Sequence, residues 1–124
     1  MLDNLVEIEK DKIFDEVGIL KVNGYRFVAA SCEQVASTSE RVGELFEISY
    51  HFDLNYEMRH LRIFTEAFGE IKSISSIYPA AFLIENEYQD LYGFEFTGLI
   101  IDYKGNLYLS KKAKKTPWVD NKQD

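Results

Sequence analysis

Phe46, Ile48, Tyr50, Phe52 and Leu54 occupy every second position of "LFEISYHFDL", residues 45–54, and Glu47, Ser49, His51 and Asp53 stand between them. Wound as a helix, these five apolar residues would scatter around the axis. Extended, they fall on one face, because successive side chains of a strand point to opposite sides. A strand with one apolar and one polar face needs a sheet around it and a second layer over its apolar side. That one segment therefore restricts the chain to folds in which a half-buried sheet is covered on one side.

The neighbouring segments supply candidates for both layers. "LRIFTE", residues 61–66, reads as the antiparallel neighbour of 45–54, across a loop "NYEMRH". Glu47 and Arg62 are then placed to pair across the two strands. "YRFVAASCE", residues 25–33, reads as a short buried strand, and 34–43 as a polar loop. "DKIFDEVGILKVN", residues 11–23, puts Ile13, Phe14, Val17 and Leu20 on one helical face. Asp11 is placed to cap its start and Gly24 to take the left-handed position after its end.

"SISSIYP", residues 73–79, offers serines for a cap and Pro79 for a first helical turn. From Ala80 to Tyr92 the spacing predicts a second helix. Its apolar stripe is Ala80, Ile84, Tyr88 and Leu91, with Ala81 and Leu83 at the edges, and Gly93 ends it. Residues 94–103 and 106–110 read as strands joined at Lys104 and Gly105. The fold class is α+β: a two-layer sandwich with a mainly antiparallel or mixed sheet and helices on one face. Residues 1–110 make one domain, and 111–124 a basic, flexible tail.

Composition narrows function more than fold. A net charge of −7 disfavours a general nucleic-acid binder. The opening residues lack the apolar stretch of a signal peptide, and no apolar run nears the ~20 residues a membrane-spanning helix needs. The single cysteine, Cys32, can form neither an internal disulfide nor a thiolate cluster. A reducing compartment follows as an expectation. Eight tyrosines and nine phenylalanines are many for a core this size, and exposed aromatics favour interfaces. Trp118, within a polar tail that also holds Lys111, Lys112, Lys114 and Lys115, reads as a docking residue.

The candidate chemistry lies in "ENEYQDLYGFEFTG", residues 85–98. Glu85, Glu87 and Asp90 sit close enough in sequence to suggest a carboxylate-based hydrolase or a metal enzyme. On a helix they do not converge by spacing, so a solvated or partner-facing acidic surface is the simpler expectation. His51 and His60 lack further ligands at helical spacing and read as surface residues rather than zinc ligands. A Cys32–His dyad is conceivable, but nothing local activates the thiol. The glycines match neither a dinucleotide nor a P-loop spacing. No catalytic, cofactor-binding or metal residue is assigned.

The same stretch resembles the signature of the 30-kDa subunit family of proton-pumping NADH:quinone oxidoreductases. Glu85, Glu87, Asp90, Leu91, Tyr92, Gly93, Phe96 and Gly98 fill the matching places. Asn86 replaces the arginine of the family's Glu-Arg-Glu, and Leu99-Ile100 stands where His-Pro is usual. "YPAAFLIENEYQDLYG" and "DYKGNLYL" are more similar to a short branch, the small accessory subunit of energy-converting membrane-bound [NiFe] hydrogenases. The resemblance implies a non-catalytic accessory subunit in a cytoplasmic arm, held peripherally at the cell membrane by its complex. It implies no cofactor in this chain. Iron–sulfur clusters and a nickel–iron site are expected in its partners, the large and small subunits. The implied partner interface comprises Glu85, Glu87, Asp90, Tyr92, Phe96 and Trp118, with Gly93 and Gly98 as structural turns. A respiratory NADH or ferredoxin:quinone oxidoreductase subunit is the alternative assignment.

Overall fold

The alternating segment forms the central strand β3, Phe46–Leu54, in the computed structural model, which describes residues 4–43 and 45–100. Four strands make the main sheet: β1 (Leu5–Glu7), β2 (Arg26–Gln34), β3 and β4 (Glu57–Thr65), in the order β1-β4-β3-β2. β3 runs antiparallel to both β2 and β4, and β1 lies parallel to β4. Helix α1, Ile13–Val22, follows a single 3-10 turn at Lys10–Lys12. A second, two-stranded parallel sheet pairs β5 (Glu70–Lys72) with β6 (Glu95–Thr97), and α2 (Ala81–Tyr92) connects them. The expected α+β architecture is present. The expected strand at 106–110 and the tail, with Trp118, lie outside the described residues, and the strand expected at 94–103 is described as Glu95–Thr97.

The core lies on the apolar side of β3. Phe46, Ile48, Tyr50 and Phe52 are buried there with Ile63 and Leu61 of β4, Ile13, Val17 and Leu20 of α1, and Ala81 and Tyr88 of α2. Two aromatic groups fill its ends: Phe27, Phe52 and Tyr78 at one, Phe46, Tyr92 and Phe94 at the other. Burying each such ring stabilises the fold by roughly 1.5–3 kcal/mol. The aromatic excess in the composition is thus largely absorbed internally.

The β3–β4 connection is tighter than the sequence reading allowed. The turn is only Asn55 and Tyr56, at φ 50° and 72°. Positive φ at both central residues is the two-residue hairpin geometry that matches strand twist. Asparagine tolerates that region, whereas tyrosine there is uncommon, and Tyr56 is almost wholly exposed. β4 consequently begins at Glu57 and includes His60, which the longer loop had excluded.

Candidate functional site

Helix α2 carries the acids, and it is rotated from the expected stripe. Its buried residues are Ala81, Glu85, Asn86, Tyr88, Gln89 and Asp90, while Leu83 is exposed. An inward face of this polarity persists only when its groups find partners. Glu85 is completely buried and accepts hydrogen bonds from Ser73 Oγ at 2.6 Å and the Ile74 N–H at 3.1 Å, with a longer contact from Tyr50 Oη at 3.5 Å. Ser73 and Ser75 hydroxyls pair at 2.8 Å, and Ser75 Oγ accepts the Ile100 N–H at 3.0 Å. Gln89 Oε1 accepts the N–H of Phe96 at 2.9 Å, tying α2 to β6.

These contacts correct three expectations. Glu85 and Asp90 are 0% and 1% exposed, so they do not form an acidic surface with Glu87, which is half-buried. Phe96 is buried in the core instead of facing outward, and Tyr92 is half-buried against Phe46 and Phe94. The serines do not cap α2: its N-cap is Ala80, without a side-chain hydrogen bond, and Ser73 instead serves Glu85. The apolar-stripe argument missed this because the i, i+4 spacing of Ala81 and Glu85 holds for a polar residue as well as an apolar one.

Burial pushes the Glu85 carboxyl up to about 7, against the pull of the donated hydrogen bonds from Ser73, Ile74 and Tyr50. The Tyr50 hydroxyl is raised by its own burial and by the nearby Glu85 charge. Gly93 ends α2 at φ 77°, its N–H donating to Gln89 O at 3.0 Å. Gly98 sits at φ 80°. Both therefore occupy the backbone region that favours glycine.

The other candidates separate by sheet face. Cys32 pairs in register with Ile48 on the core side, and burial pushes its thiol up to about 12. His51 belongs to the alternate set of β3 on the opposite face, so no Cys32–His51 dyad forms. That opposite face is not an open wet surface: Ser49 and Asp53 are buried and His51 is half-buried. Arg62 lies 3.7 Å from Glu47, the expected cross-strand ion pair, and Arg26 donates to Asp53 at 2.9 Å. His51 and His60 are directly paired, with their Nδ1 atoms 2.8 Å apart. The sequence held a signal for this contact, since counting back from a two-residue turn at 55–56 sets 51 opposite 60.

Among the described residues, no three His, Cys, Asp or Glu side chains converge as a metal site. Within the same range no helix is long and apolar enough to cross a membrane. The polar cluster around Glu85 is a closed hydrogen-bonded knot joining α2 to the 73–75 segment.

Comparison with known proteins places this arrangement. The sequence profile described as respiratory-chain NADH dehydrogenase, 30 Kd subunit, matches residues 6–118. A trypsin-resistant fragment of Nqo5 superposes with a TM-score of 0.65 at 17% identity, covering 76% of this chain and 78% of that one. A chain of the membrane-bound sulfane sulfur reductase, an archaeal respiratory membrane complex, gives a TM-score of 0.55 at 21% identity. That match covers 96% of this chain and 64% of the other. No curated protein matches significantly. With the profile spanning most of its length, the chain belongs to the family of the respiratory-chain NADH dehydrogenase 30 Kd subunit.

Proposed function

We propose that the chain is a non-catalytic accessory subunit of a membrane-bound energy-converting [NiFe] hydrogenase, docked on the large subunit in the cytoplasmic arm. In this reading it holds no cofactor and supports electron transfer, coupled to ion pumping, by positioning subunits that carry the iron–sulfur clusters and the nickel–iron site. It reaches the membrane only through the complex. The observation that carries the reading is the knot around Glu85. The most reactive-looking acid of the family-like motif is consumed in holding α2 to the 73–75 segment, with its oxygens on Ser73, Ile74 and Tyr50. A carboxylate enclosed in this way builds a scaffold. Membership of the family and the similarity to a chain from a membrane-bound respiratory complex support assembly as its mode of action.

The alternative within the same class is a subunit of an NADH or ferredoxin:quinone oxidoreductase, favoured by the family's own description. Affinity purification of the tagged chain from detergent-solubilised membranes of its source distinguishes them. The hydrogenase reading predicts stoichiometric recovery of a nickel-containing large subunit and an iron–sulfur small subunit, with hydrogen-evolving activity. Recovery of a nickel-free complex that reduces quinone supports the alternative. A chain recovered alone, with hydrolytic or metal-dependent activity of its own, overturns both.

A further inference from the structure

We propose that His51 and His60 form a two-imidazole chelate for a divalent late transition metal, copper(II) or nickel(II), clipping β3 to β4 on the sheet face away from the core. The hairpin sets the geometry. With Asn55 and Tyr56 as the turn, Leu54 and Glu57 are its closing hydrogen-bonded pair. Hydrogen-bonded and non-hydrogen-bonded pairs alternate from there, so His51 and His60 fall at a non-hydrogen-bonded pair, where facing side chains approach most closely.

Their Nδ1 atoms stand 2.8 Å apart. Two nitrogens each ~2.0–2.1 Å from one metal and at a right angle to each other are separated by about 2.8–3.0 Å. A tetrahedral angle would require about 3.3 Å. The metal-free contact is itself a hydrogen bond, and rotation of the two rings at this spacing turns both Nδ1 lone pairs toward one metal; copper(II) and nickel(II) take imidazole in tetragonal geometry. Water completes the coordination, since no third His, Cys, Asp or Glu converges with the pair among the described residues.

Ser31 supplies the orientation. Its Oγ lies 3.2 Å from His51 Nε2. When that oxygen accepts the Nε2 proton, His51 is held in the tautomer whose Nδ1 lone pair is available. An outer hydrogen bond of this kind fixes the ring of a metal-ligating histidine. In the metal-free pair, His60 Nδ1–H then donates to His51 Nδ1. Metal binding moves the His60 proton to its Nε2, without a change in net proton count.

The test is titration of the full chain with copper(II) chloride in a non-coordinating buffer at pH 7.5, read by calorimetry, electron paramagnetic resonance and thermal melting. The chain has two histidines, so the variants are clean. The wild type is expected to bind one copper with hyperfine structure from two nitrogens, and its Tm should rise with copper. H51Q and H60Q should each weaken binding by well over tenfold, and S31A by about tenfold. His60 is buried, so H51Q, which changes the more accessible ring, decides the matter if H60Q does not fold. Equal copper affinity in H51Q and wild type, a one-nitrogen spectrum, or equal binding by the H51Q/H60Q double variant would overturn the proposal.

Discussion

Strand β3 and helix α2 press on the same core with opposite chemistries. β3 contributes Phe46, Ile48, Tyr50 and Phe52, and α2 contributes Glu85, Asn86 and Gln89 beside Ala81 and Tyr88. Apolar burial is non-directional, so β3 supplies cohesion without specifying which neighbour it meets. The α2 face is directional. Glu85 fits only where Ser73, the Ile74 N–H and Tyr50 Oη meet, and Gln89 only where the Phe96 N–H points. The strand thus drives collapse, and the helix fixes the placement of the 73–75 segment and β6.

Phe52→Asp separates the strand from the helix most strongly. It buries an unpaired charge in the aromatic group of Phe27 and Tyr78, at a cost above ~4 kcal/mol, and should leave no cooperative thermal transition. His51→Gln, one position away on the other face, should cost only about 1 kcal/mol by chemical denaturation, the worth of a hydrogen bond. Comparable losses would mean that the two faces of β3 are not distinct.

Glu85→Ala comes next. It leaves three buried donors without their acceptor, for about 2 kcal/mol or more. Hydrogen exchange should localise the damage, with the amides of Ile74 and Ile100 losing protection before those of β3. Gly93→Val forces a branched side chain into positive φ and should cost about 1–2 kcal/mol in a denaturant titration. The smallest effect belongs to Glu87→Ala. With Glu87 half-buried and outside the Glu85 knot, the isolated chain should lose no more than ~0.5 kcal/mol. The same substitution should weaken recovery of the complex if Glu87 faces a partner subunit, and unchanged recovery would remove it from the interface.

What the sequence revealed follows the same division. The alternation of β3, the helix α1 and the left-handed Gly93 were legible because each depends on local periodicity or on a backbone preference. Strand β1 was not: Leu5–Glu7 pairs with β4 across more than fifty residues, and three residues carry no period of their own. The Glu85 knot was illegible for a related reason. Its partners Tyr50, Ser73 and Ile74 lie on other elements, so the exposure normally expected of a glutamate prevailed. His60 was misplaced by the assumption of a polar loop at 55–60, which the tight turn at Asn55 and Tyr56 replaces.

Glu85 is an internal structural group, and its folded pKa, raised by burial from 4.5 to about 7, gives that burial a measurable signature. Between those values the folded chain binds the proton more tightly than the unfolded chain. The stability associated with the protonated carboxyl is therefore fully present below pH ~4.5 and is lost as pH rises through ~7. The full loss is on the order of 3 kcal/mol, or roughly 10 °C in Tm. Thermal melts of wild type and Glu85→Gln from pH 5 to pH 8.5 isolate this contribution, because glutamine does not titrate. The two curves should lie close together at pH 5, and the wild type should fall progressively below the variant by pH 8.5. Parallel curves would show that Glu85 titrates alike in the folded and unfolded chain, as a solvated surface carboxylate does; a wild type that gains on the variant as pH rises would show a carboxylate held ionised by its donors, and either result contradicts a Glu85 whose proton is held by burial.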